Sequence, residues 1–369
     1  MPLGLIDHLS PSENENMVDH ILWLGGFDFI ERPFGDADAL VLCMLSYFDM
    51  KMLPFEDRKE VRVKELLPHL ESGASKALLT GPDGGAADIA RAACRSKRFG
   101  ELIIRDHEDI LQQDPPLQFA AMTFHDGKGL NFLAYRGTDS SLAGWKEDFM
   151  IAFTETSAQH MAADYARRVI TPGGRWILGG HSKGGNQVLY AASQLSFVEL
   201  AQVRKIYMLD GPGLCPEIVE EDALARIEGK ITCVIPEFDM IGQLFKPRVR
   251  DLRVVKSLNP EGFGQHALAS WTVDHGNLSS GKLGERAERL MRVVNEWIAD
   301  MSMEERKIFV DELFAAFGAD GATDLSEITA ERFGAALAEL NHNSKVTKKF
   351  LTDLQKKLFS DMFRREGTR

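Results

Sequence analysis

The chain has 369 residues, of which 44% are hydrophobic and 27% are charged, and its formal net charge is −12. This length allows one large α/β domain with additions, or two domains. The negative charge argues against general nucleic-acid binding, because contacts with phosphates need a basic surface. The four cysteines form no C-x-x-C pair, so they predict small buried thiols and neither a zinc knuckle nor a redox motif.

The N-terminal sequence bears on location. The stretch "MPLGLIDHLSPSENENM" lacks the basic region and the long apolar core of a signal peptide. No window of the chain has the uninterrupted apolar length of a membrane span. We therefore expect a cytoplasmic protein with reduced thiols, although export by a route without a signal peptide stays compatible with the sequence.

Residues 1–117 predict a helical N-terminal segment that completes a catalytic domain. Asp36 or Asp38 caps a helix in which apolar residues recur at helical spacing. These apolar residues are Leu40, Met44 and Phe48. Residues 58–113 read as mixed helix and loop. The first clear strands flank the turn "DGKG" at 126–129, and this pattern predicts a β-hairpin.

Residues 118–280 predict the catalytic core, because apolar strand patterns and helix patterns alternate along them. Such alternation implies a mostly parallel sheet covered on both faces. Strands are expected at 175–180, 205–210, 230–236 and 252–257, and helices at 161–170, 185–195 and 216–228.

Residues 281–369 predict a helical C-terminal extension. An apolar stripe runs along 283–298, and Ser302 with Glu305 forms a capping-box signature before the next helix. The last segment, 345–369, is basic and amphipathic. Its apolar face either packs on the protein's own core or contacts an anionic membrane or a partner.

The sequence "GHSKG" at 180–184 matches the nucleophile-elbow pattern G-x-S-x-G. The serine of this pattern sits on a sharp strand-to-helix turn, and its small neighbours let the chain pass nearby backbone. An apolar strand precedes Ser182 and a good helix sequence follows it, which is the context that the pattern requires. We expect Ser182 to be a nucleophile and the neighbouring His181 to be structural.

A nucleophilic serine needs a base and a group that orients the base. Asp239 and His266 follow two successive predicted strands after Ser182, in the chain order serine, acid, histidine. We therefore predict Asp239 as the acid and His266 as the base. Asp210, which ends an earlier strand, is the alternative acid, and His275 is the alternative base.

Two groups are predicted to stabilise an oxyanion. The backbone N–H of Lys183 lies at the start of the helix that follows Ser182. The second donor is expected from a loop after an earlier strand, and Thr138 in "RGT" offers its N–H and its hydroxyl. Arg136 of the same loop is expected to form a structural ion pair with Asp148.

These segments together resemble the class 3 lipases of the α/β-hydrolase superfamily, in which R-G-T or R-G-S follows a strand, then W-x-x-D, then G-H-S-x-G-G. The matching segments are 136–138, Trp145 with Asp148, and 180–185. The resemblance implies an α/β-hydrolase fold, with a mostly parallel sheet flanked by helices. It also implies Ser182 as nucleophile and Thr138 as oxyanion residue, while Asp239 and His266 match by order.

Lys183 departs from typical class 3 lipases, which usually carry leucine at that position. With "DADALVLCMLSY" and "GFGQHALASWTVD", the lysine form resembles a bacterial branch called Mbeg-like, over nearly the whole chain. The lysine either pairs with a nearby carboxylate or places a charge near the mouth of the site. Such a charge would attract an anionic substrate, for example a phospholipid head group.

The sequence as a whole predicts a serine hydrolase that cleaves carboxylic esters, lipid-like ones in particular, through an acyl-enzyme on Ser182. This chemistry needs no metal or cofactor. The alternative is a catalytically silent protein of the same fold that binds a lipid or a protein partner, since a fold does not by itself define an activity. The motifs are equally compatible with a lipase that is exported to act on other cells.

Overall fold

A computed structural model describes most of the chain between residues 16 and 318. The gaps in this range are 56–57, 73–78, 80–84, 113–116, 139–145, 147–149, 247–248 and 261–262, and beyond it residues 344–345, 347–349 and 352 are described. The predicted basic segment 345–369 therefore lies almost entirely outside the described residues. Among the helices that the structure describes, none combines the length and the apolar composition needed to cross a membrane.

The strands that the structure describes form an eight-stranded sheet whose neighbours follow the chain order. They are β1 Val61–Arg62, β2 Ile103–Gln112, β3 Leu117–His125, β4 Asn131–Tyr135, β5 Trp176–His181, β6 Val203–Leu209, β7 Ile231–Pro236 and β8 Asp251–Val255. β1 to β4 pair antiparallel, and β4 to β8 pair parallel. A separate small hairpin consists of β9 Val273–Asp274 and β10 Asn277–Leu278.

Helices precede, connect and follow these strands. They are α1 Met17–Leu24, α2 Asp36–Leu45, α3 Leu67–Glu71, α4 Ala86–Arg95, α5 Lys97–Gly100, α6 Ser157–Val169, α7 Lys183–Ser193, α8 Phe197–Gln202, α9 Glu221–Ile227, α10 Glu285–Ala299 and α11 Met303–Gly318. Short 3₁₀ helices lie at Met50–Met52, Val63–Leu66, Glu228–Lys230, Phe263–His266 and Leu268–Ser270.

The sheet is buried on both faces, as the continuous apolar strands predict. On β4, Phe132 and Ala134 pack into the cluster that contains α1, α2 and α4. Leu133 and Tyr135 point to the opposite face, where α6 and α7 pack. The alternation follows from the two-residue period of a strand. Together with the mostly parallel sheet, these two layers make the α/β-hydrolase fold that the sequence predicts.

The N-terminal segment also contributes strands, which the sequence did not indicate. β2 lies in residues 58–113, whose sequence predicts mixed helix and loop. Its apolar alternation is broken because the pairing with β3 shifts register between Arg105 and Glu108. Asp106, inside this irregularity, has a left-handed backbone with φ 49°. A bulge of this kind moves side chains to the other face, so no regular period remains to be read.

The C-terminal helices α10 and α11 pack on the loop that follows β7. Ile241 and Leu244 of that loop share a buried cluster with side chains from both helices. Asn295 of α10 donates to the carbonyl of Gln243 over 2.7 Å and accepts the N–H of Phe245 over 3.0 Å. The predicted capping box before α11 is present, with both reciprocal hydrogen bonds between Ser302 and Glu305. The extension thus holds the loop that carries Asp239.

Candidate active site

Ser182 lies on the sharp turn between β5 and α7. Its backbone has φ 58° and ψ −126°, a conformation that is strained for any residue with a side chain. Its N–H donates to the carbonyl of Leu209 over 3.0 Å, which ties the turn to β6. α7 begins at the next residue, so Ser182 occupies the N-cap position at the positive end of the helix dipole.

Glycines beside Ser182 let backbone segments approach closely. A Cβ atom on Gly180 would lie 2.0 Å from the carbonyl oxygen of Gly184. A Cβ atom on Gly184 would lie 2.2 Å from the carbonyl oxygen of Tyr135 on β4. Larger residues would push α7 away from β4 and β5. The spacing of the "GHSKG" motif therefore has a steric cause in this fold.

The "RGT" loop after β4 lies directly against Ser182. A Cβ atom on Gly137 would lie 2.3 Å from the hydroxyl of Tyr47, 2.7 Å from the carbonyl oxygen of His181 and 3.1 Å from Cβ of Ser182. Thr138 follows this contact and is buried. The structure thus brings the predicted oxyanion loop to the nucleophile elbow, while the role of Thr138 stays a prediction.

Arg136 forms an ion pair with an acid that the sequence did not indicate. Its guanidinium donates to Oδ2 of Asp109 over 2.6 Å, and both side chains are largely buried. Asp109 lies on β2, the strand that the sequence did not indicate. The predicted partner, Asp148, lies outside the described residues. The pair still does what was expected of it, because it anchors the start of the "RGT" loop to the sheet.

His266 lies at the end of the 3₁₀ helix Phe263–His266 and is buried. Its Nδ1 is 2.7 Å from Oδ2 of Asp210. Its backbone carbonyl accepts a hydrogen bond from Nε2 of His181 over 2.9 Å, and the two imidazole rings lie 4.6 Å apart. Since His181 immediately precedes Ser182, these contacts hold His266 beside the nucleophile elbow.

Asp210, and not the preferred Asp239, is the carboxylate at His266. β6 lies next to β5 in the sheet, and Leu209 pairs with His181. Asp210 therefore leaves β6 at the same edge and the same level as Ser182, with a left-handed backbone at φ 44°. Asp239 follows β7, which lies one strand farther from Ser182. Both acids lie between Ser182 and His266 in the sequence, so chain order does not separate them. The pairing of Leu209 with His181 places Asp210 at the level of Ser182.

Asp239 nevertheless lies beside Asp210. Oδ1 of Asp239 and Oδ1 of Asp210 both accept the N–H of Gly242, over 2.8 Å and 3.0 Å. Burial raises the pKa of Asp210 to about 7, although hydrogen bonds from Asp239 and Gly242 act in the opposite direction. Burial, and then the neighbouring Asp210, raises the pKa of Asp239 well above its usual range. The structure thus brings both candidate acids together, with Asp210 at His266 and Asp239 beside it.

His181 has a structural environment, as expected. Its Nε2 lies 2.9 Å from the carbonyl oxygen of His266, so Nε2 carries the proton and Nδ1 accepts from the hydroxyl of Tyr47 over 2.8 Å. Burial lowers the pKa of His181 well below its usual range, so the ring is neutral. The sequence does not indicate Tyr47 as a site residue. It lies 134 positions from His181, and the stretch around it predicts only an apolar helix.

The two remaining candidates lie in different surroundings. His275, the alternative base, is exposed in the turn between β9 and β10 and packs on Trp23 with 5.2 Å between the ring centroids. Lys183 is the first residue of α7, and only 1% of it is exposed. A charge that attracts a substrate from solution needs an exposed ammonium, so this burial disfavours the predicted role of the lysine side chain at the mouth.

Gln265 is a second residue that the sequence analysis missed. Its amide nitrogen donates to the carbonyls of Asn259 and Pro260 over 2.8 Å and 3.0 Å. Its amide oxygen accepts the N–H of Phe238 over 2.7 Å. These bonds tie the loop of His266 to the loop of Asp239. In the described part of the chain, no group of three or more His, Cys, Asp and Glu side chains is arranged to hold a metal ion.

The mostly parallel sheet and the helices on its two faces define a lipase-like α/β-hydrolase fold. The chain belongs to the Mbeg1-like family, whose model matches residues 93–315, more than half of the chain. No curated protein matches the chain.

The chain is also similar to three solved lipase structures. A fungal lipase shares 13% identity with a TM-score of 0.35, covering 61% of this chain and 90% of that one. M37 lipase shares 14% identity with a TM-score of 0.33, covering 56% and 68%. Lip2 lipase from Yarrowia lipolytica shares 13% identity with a TM-score of 0.29, covering 64% and 87%.

Proposed function

We propose that this protein is a serine hydrolase that cleaves carboxylic esters, lipid-like ones in particular, through an acyl-enzyme on Ser182. The observation that carries the proposal is the 2.7 Å contact between His266 Nδ1 and Asp210 Oδ2, next to a serine with a strained backbone. A carboxylate at Nδ1 fixes the tautomer in which Nε2 can accept a proton. In this proposal Asp210 takes the place that we expected for Asp239.

The proposed reaction has two steps. In the first, Nε2 of His266 takes the proton of Ser182 Oγ while this oxygen attacks the ester carbonyl. The imidazolium then protonates the leaving alcohol, and an acyl-serine remains. In the second, His266 deprotonates a water molecule that attacks the acyl-serine. The imidazolium then protonates Oγ of Ser182 as the bond between Oγ and the acyl carbon breaks, which releases the carboxylic acid and regenerates the free serine. Asp210 stabilises the imidazolium in both steps because its carboxylate lies at Nδ1.

The oxyanion of each tetrahedral intermediate needs donors close to Ser182. The N–H of Lys183 belongs to the first turn of α7, where a helix has no preceding carbonyl to pair with its N–H groups. Thr138 follows Gly137, where a Cβ atom would lie 3.1 Å from Cβ of Ser182. We propose these two residues as the oxyanion hole, and loss of one such donor typically lowers kcat by about 10²–10³.

The burial of the site supports a second candidate function. Ser182, Thr138 and His266 are 3%, 5% and 6% exposed, so very little of these residues contacts solvent in this structure. A catalytically silent protein that binds a lipid or a protein partner elsewhere on its surface would not need substrate and water to reach Ser182. The two functions differ in whether Ser182 reacts as a nucleophile.

A fluorophosphonate probe tests this difference without a guess about the substrate, because it modifies only serines that are activated. We expect wild type to be labelled, and Ser182→Ala and His266→Ala to lose labelling. Matched controls are Ser280→Ala and His275→Ala, which change an exposed serine and an exposed histidine outside the site. Both controls should be labelled as wild type is.

Two outcomes would contradict the proposal. A folded wild type that is not labelled, even with detergent or lipid vesicles present to open the site, would favour the binding function. Labelling that persists in Ser182→Ala would assign the nucleophile to another serine. After positive labelling, a series of carboxylic esters of increasing acyl length and a set of phospholipid vesicles would identify the substrate class.

A further inference from the structure

Two buried carboxyl groups meet behind His266 and share one backbone donor. Asp210 and Asp239 are each 1% exposed, and both accept the N–H of Gly242. A Cβ atom on Gly242 would lie 2.8 Å from Oδ1 of Asp210 and 3.2 Å from Oδ2 of Asp239, so these two oxygens face the same small space. Within the residues that the structure describes, Oδ2 of Asp239 receives no hydrogen bond.

This arrangement cannot hold two negative charges. Like charges a few ångströms apart in a low-dielectric interior repel strongly, and two carboxyl groups in such a site retain one proton between them. A single N–H does not compensate for the second charge. His266 faces the pair through Nδ1 and is already bonded to Asp210. The other titratable groups that act on the pair or its neighbours are His181, Cys233, Lys246 and Asp251.

In the described part of the chain, neither His181 nor Cys233 places a positive charge at Asp239. His181 is neutral, because burial lowers its pKa well below the usual range. The thiol of Cys233 is neutral too, because burial raises its pKa to about 12. Lys246 and Asp251 act on Cys233 with opposite sign. An oxygen without a donor, next to a carboxylate that can accept, is the position where the retained proton belongs.

We propose that Oδ2 of Asp239 carries a proton and that this O–H donates a hydrogen bond to Asp210. The pair then holds one negative charge, on the carboxyl that faces His266. Asp239 is then a positioning residue for the reaction, an inference that rests on the proposed function of Ser182 and His266. The Asp239 hydrogen bond and the Gly242 N–H hold the Asp210 carboxylate from behind, while its Oδ2 stays directed at Nδ1 of His266.

The first test is spectroscopic and needs no activity. At neutral pH, the infrared spectrum of the wild type should contain the C=O stretching band of a protonated carboxylic acid, which shifts in heavy water. Asp239→Asn should lack this band. The control is Asp28→Asn, because Lys128 holds the pKa of that partly exposed carboxyl below its usual range and its loss removes only a carboxylate.

The second test uses turnover of an ester by the same variants. Asp239→Asn keeps an oxygen for the Gly242 N–H and places an amide N–H where the O–H was, so kcat should fall by less than about tenfold. Asp239→Ala removes the donor to Asp210, and kcat should fall by on the order of 10² with KM nearly unchanged. The asparagine therefore restores most of the activity that the alanine loses.

The results that would overturn the proposal are distinct from those that would overturn the hydrolase function. A wild type without a protonated-carboxyl band, or a band that survives Asp239→Asn, contradicts the protonation of Asp239 whether or not the protein is an enzyme. A loss in Asp239→Asn as large as that in Asp210→Asn would make Asp239 an ionised partner of His266. Failure of fluorophosphonate labelling with the band present would leave the carboxyl pair and remove its role in catalysis.

Discussion

Nδ1 of His266 lies 2.7 Å from Oδ2 of Asp210, although the two residues are 56 positions apart in the chain. The contact exists because β6 ends beside β5 and because His181 binds the backbone of His266. It places an acid and a base behind the nucleophile elbow. Under the proposed function, this contact orients His266 for both proton transfers.

Asp210→Asn should abolish most turnover. An amide at this position donates to Nδ1 of His266 and stabilises the tautomer that cannot accept the serine proton, which lowers kcat by about 10⁴ in a comparable triad. The measurement is kcat for a reactive ester. The matched control is Asp274→Asn, which changes an exposed acid beside His275 and should keep wild-type turnover. A loss below about tenfold in Asp210→Asn would argue against its role.

Ser182→Gly should stabilise the fold while it abolishes labelling. The φ of 58° and ψ of −126° at Ser182 are strained for a side chain but accessible to glycine. Relief of the strain should raise the free energy of unfolding by about 1 kcal/mol, after the greater entropy of glycine in the unfolded chain is included. Urea unfolding measures this value. Ser182→Ala should lose labelling without the gain, and equal stabilities of the two variants would count against stored strain.

Gly137→Ala should disturb the elbow and the oxyanion loop together. Its methyl group would lie 2.3 Å from the Tyr47 hydroxyl and 2.7 Å from the carbonyl oxygen of His181. The second contact is with backbone, which cannot move aside as a flexible side chain can. We expect a destabilisation of about 1–3 kcal/mol and slower fluorophosphonate labelling. Gly26→Ala is the control, since a Cβ there has nothing within 4 Å. Similar effects of the two substitutions would contradict the close approach.

Arg98→Ala should destabilise the N-terminal layer severely. The Arg98 guanidinium is fully buried, forms two 2.6 Å bonds with Asp38 and donates to four backbone carbonyls. Its loss leaves Asp38 buried without its main partner, which costs about 3–5 kcal/mol. Arg95→Ala, which breaks an exposed pair with Glu71, should cost at most about 1 kcal/mol. Thermal or urea unfolding of the two variants measures the loss of stability, and equal losses would contradict the structural role of Arg98.

The stability difference between Asp239→Asn and wild type should depend on pH. Burial raises the folded pKa of Asp239 above the unfolded value, so the folded protein binds more protons than the unfolded chain between the two. The wild type therefore loses stability as pH rises above about 4, by up to about 1.4 kcal/mol per pH unit, whereas asparagine does not titrate. Urea unfolding at several pH values should show that the free energy of unfolding of Asp239→Asn, relative to wild type, increases with pH. A constant difference would contradict the raised pKa.

Much of the fold was predictable because its local signals agree. The strands predicted at 175–180 and 230–236 correspond to β5 and β7, and the hairpin around 126–129 is present between β3 and β4. The predicted helix at 161–170 corresponds to α6. The helix expected at 216–228 is shorter, at Glu221–Ile227. The four cysteines are buried and free, as their spacing predicts.

The candidate site was predictable to a smaller extent. Ser182 could be found because its turn requires glycines at fixed short spacing, and these glycines lie within a few residues of it in the sequence. The "RGT" loop could be found by resemblance. Asp210 and Asp239 were both recognised as acids after strands, but the sequence gives no measure of which one reaches His266. Tyr47 and Gln265 carried no signal, since each acts through a single hydrogen-bonding group placed by distant packing.

The sequence by itself determined the alternation of strands and helices, the nucleophile elbow and the positions of the candidate acids and bases, because propensity, hydrophobic period and steric need for glycine act over a few residues. The tertiary structure decided that Asp210 contacts His266, that Arg136 pairs with Asp109, and that Asp210 and Asp239 share Gly242. These relations depend on which strands become neighbours and on the register between them. Such long-range geometry is fixed by the packing of the whole sheet, and no short stretch of sequence contains it.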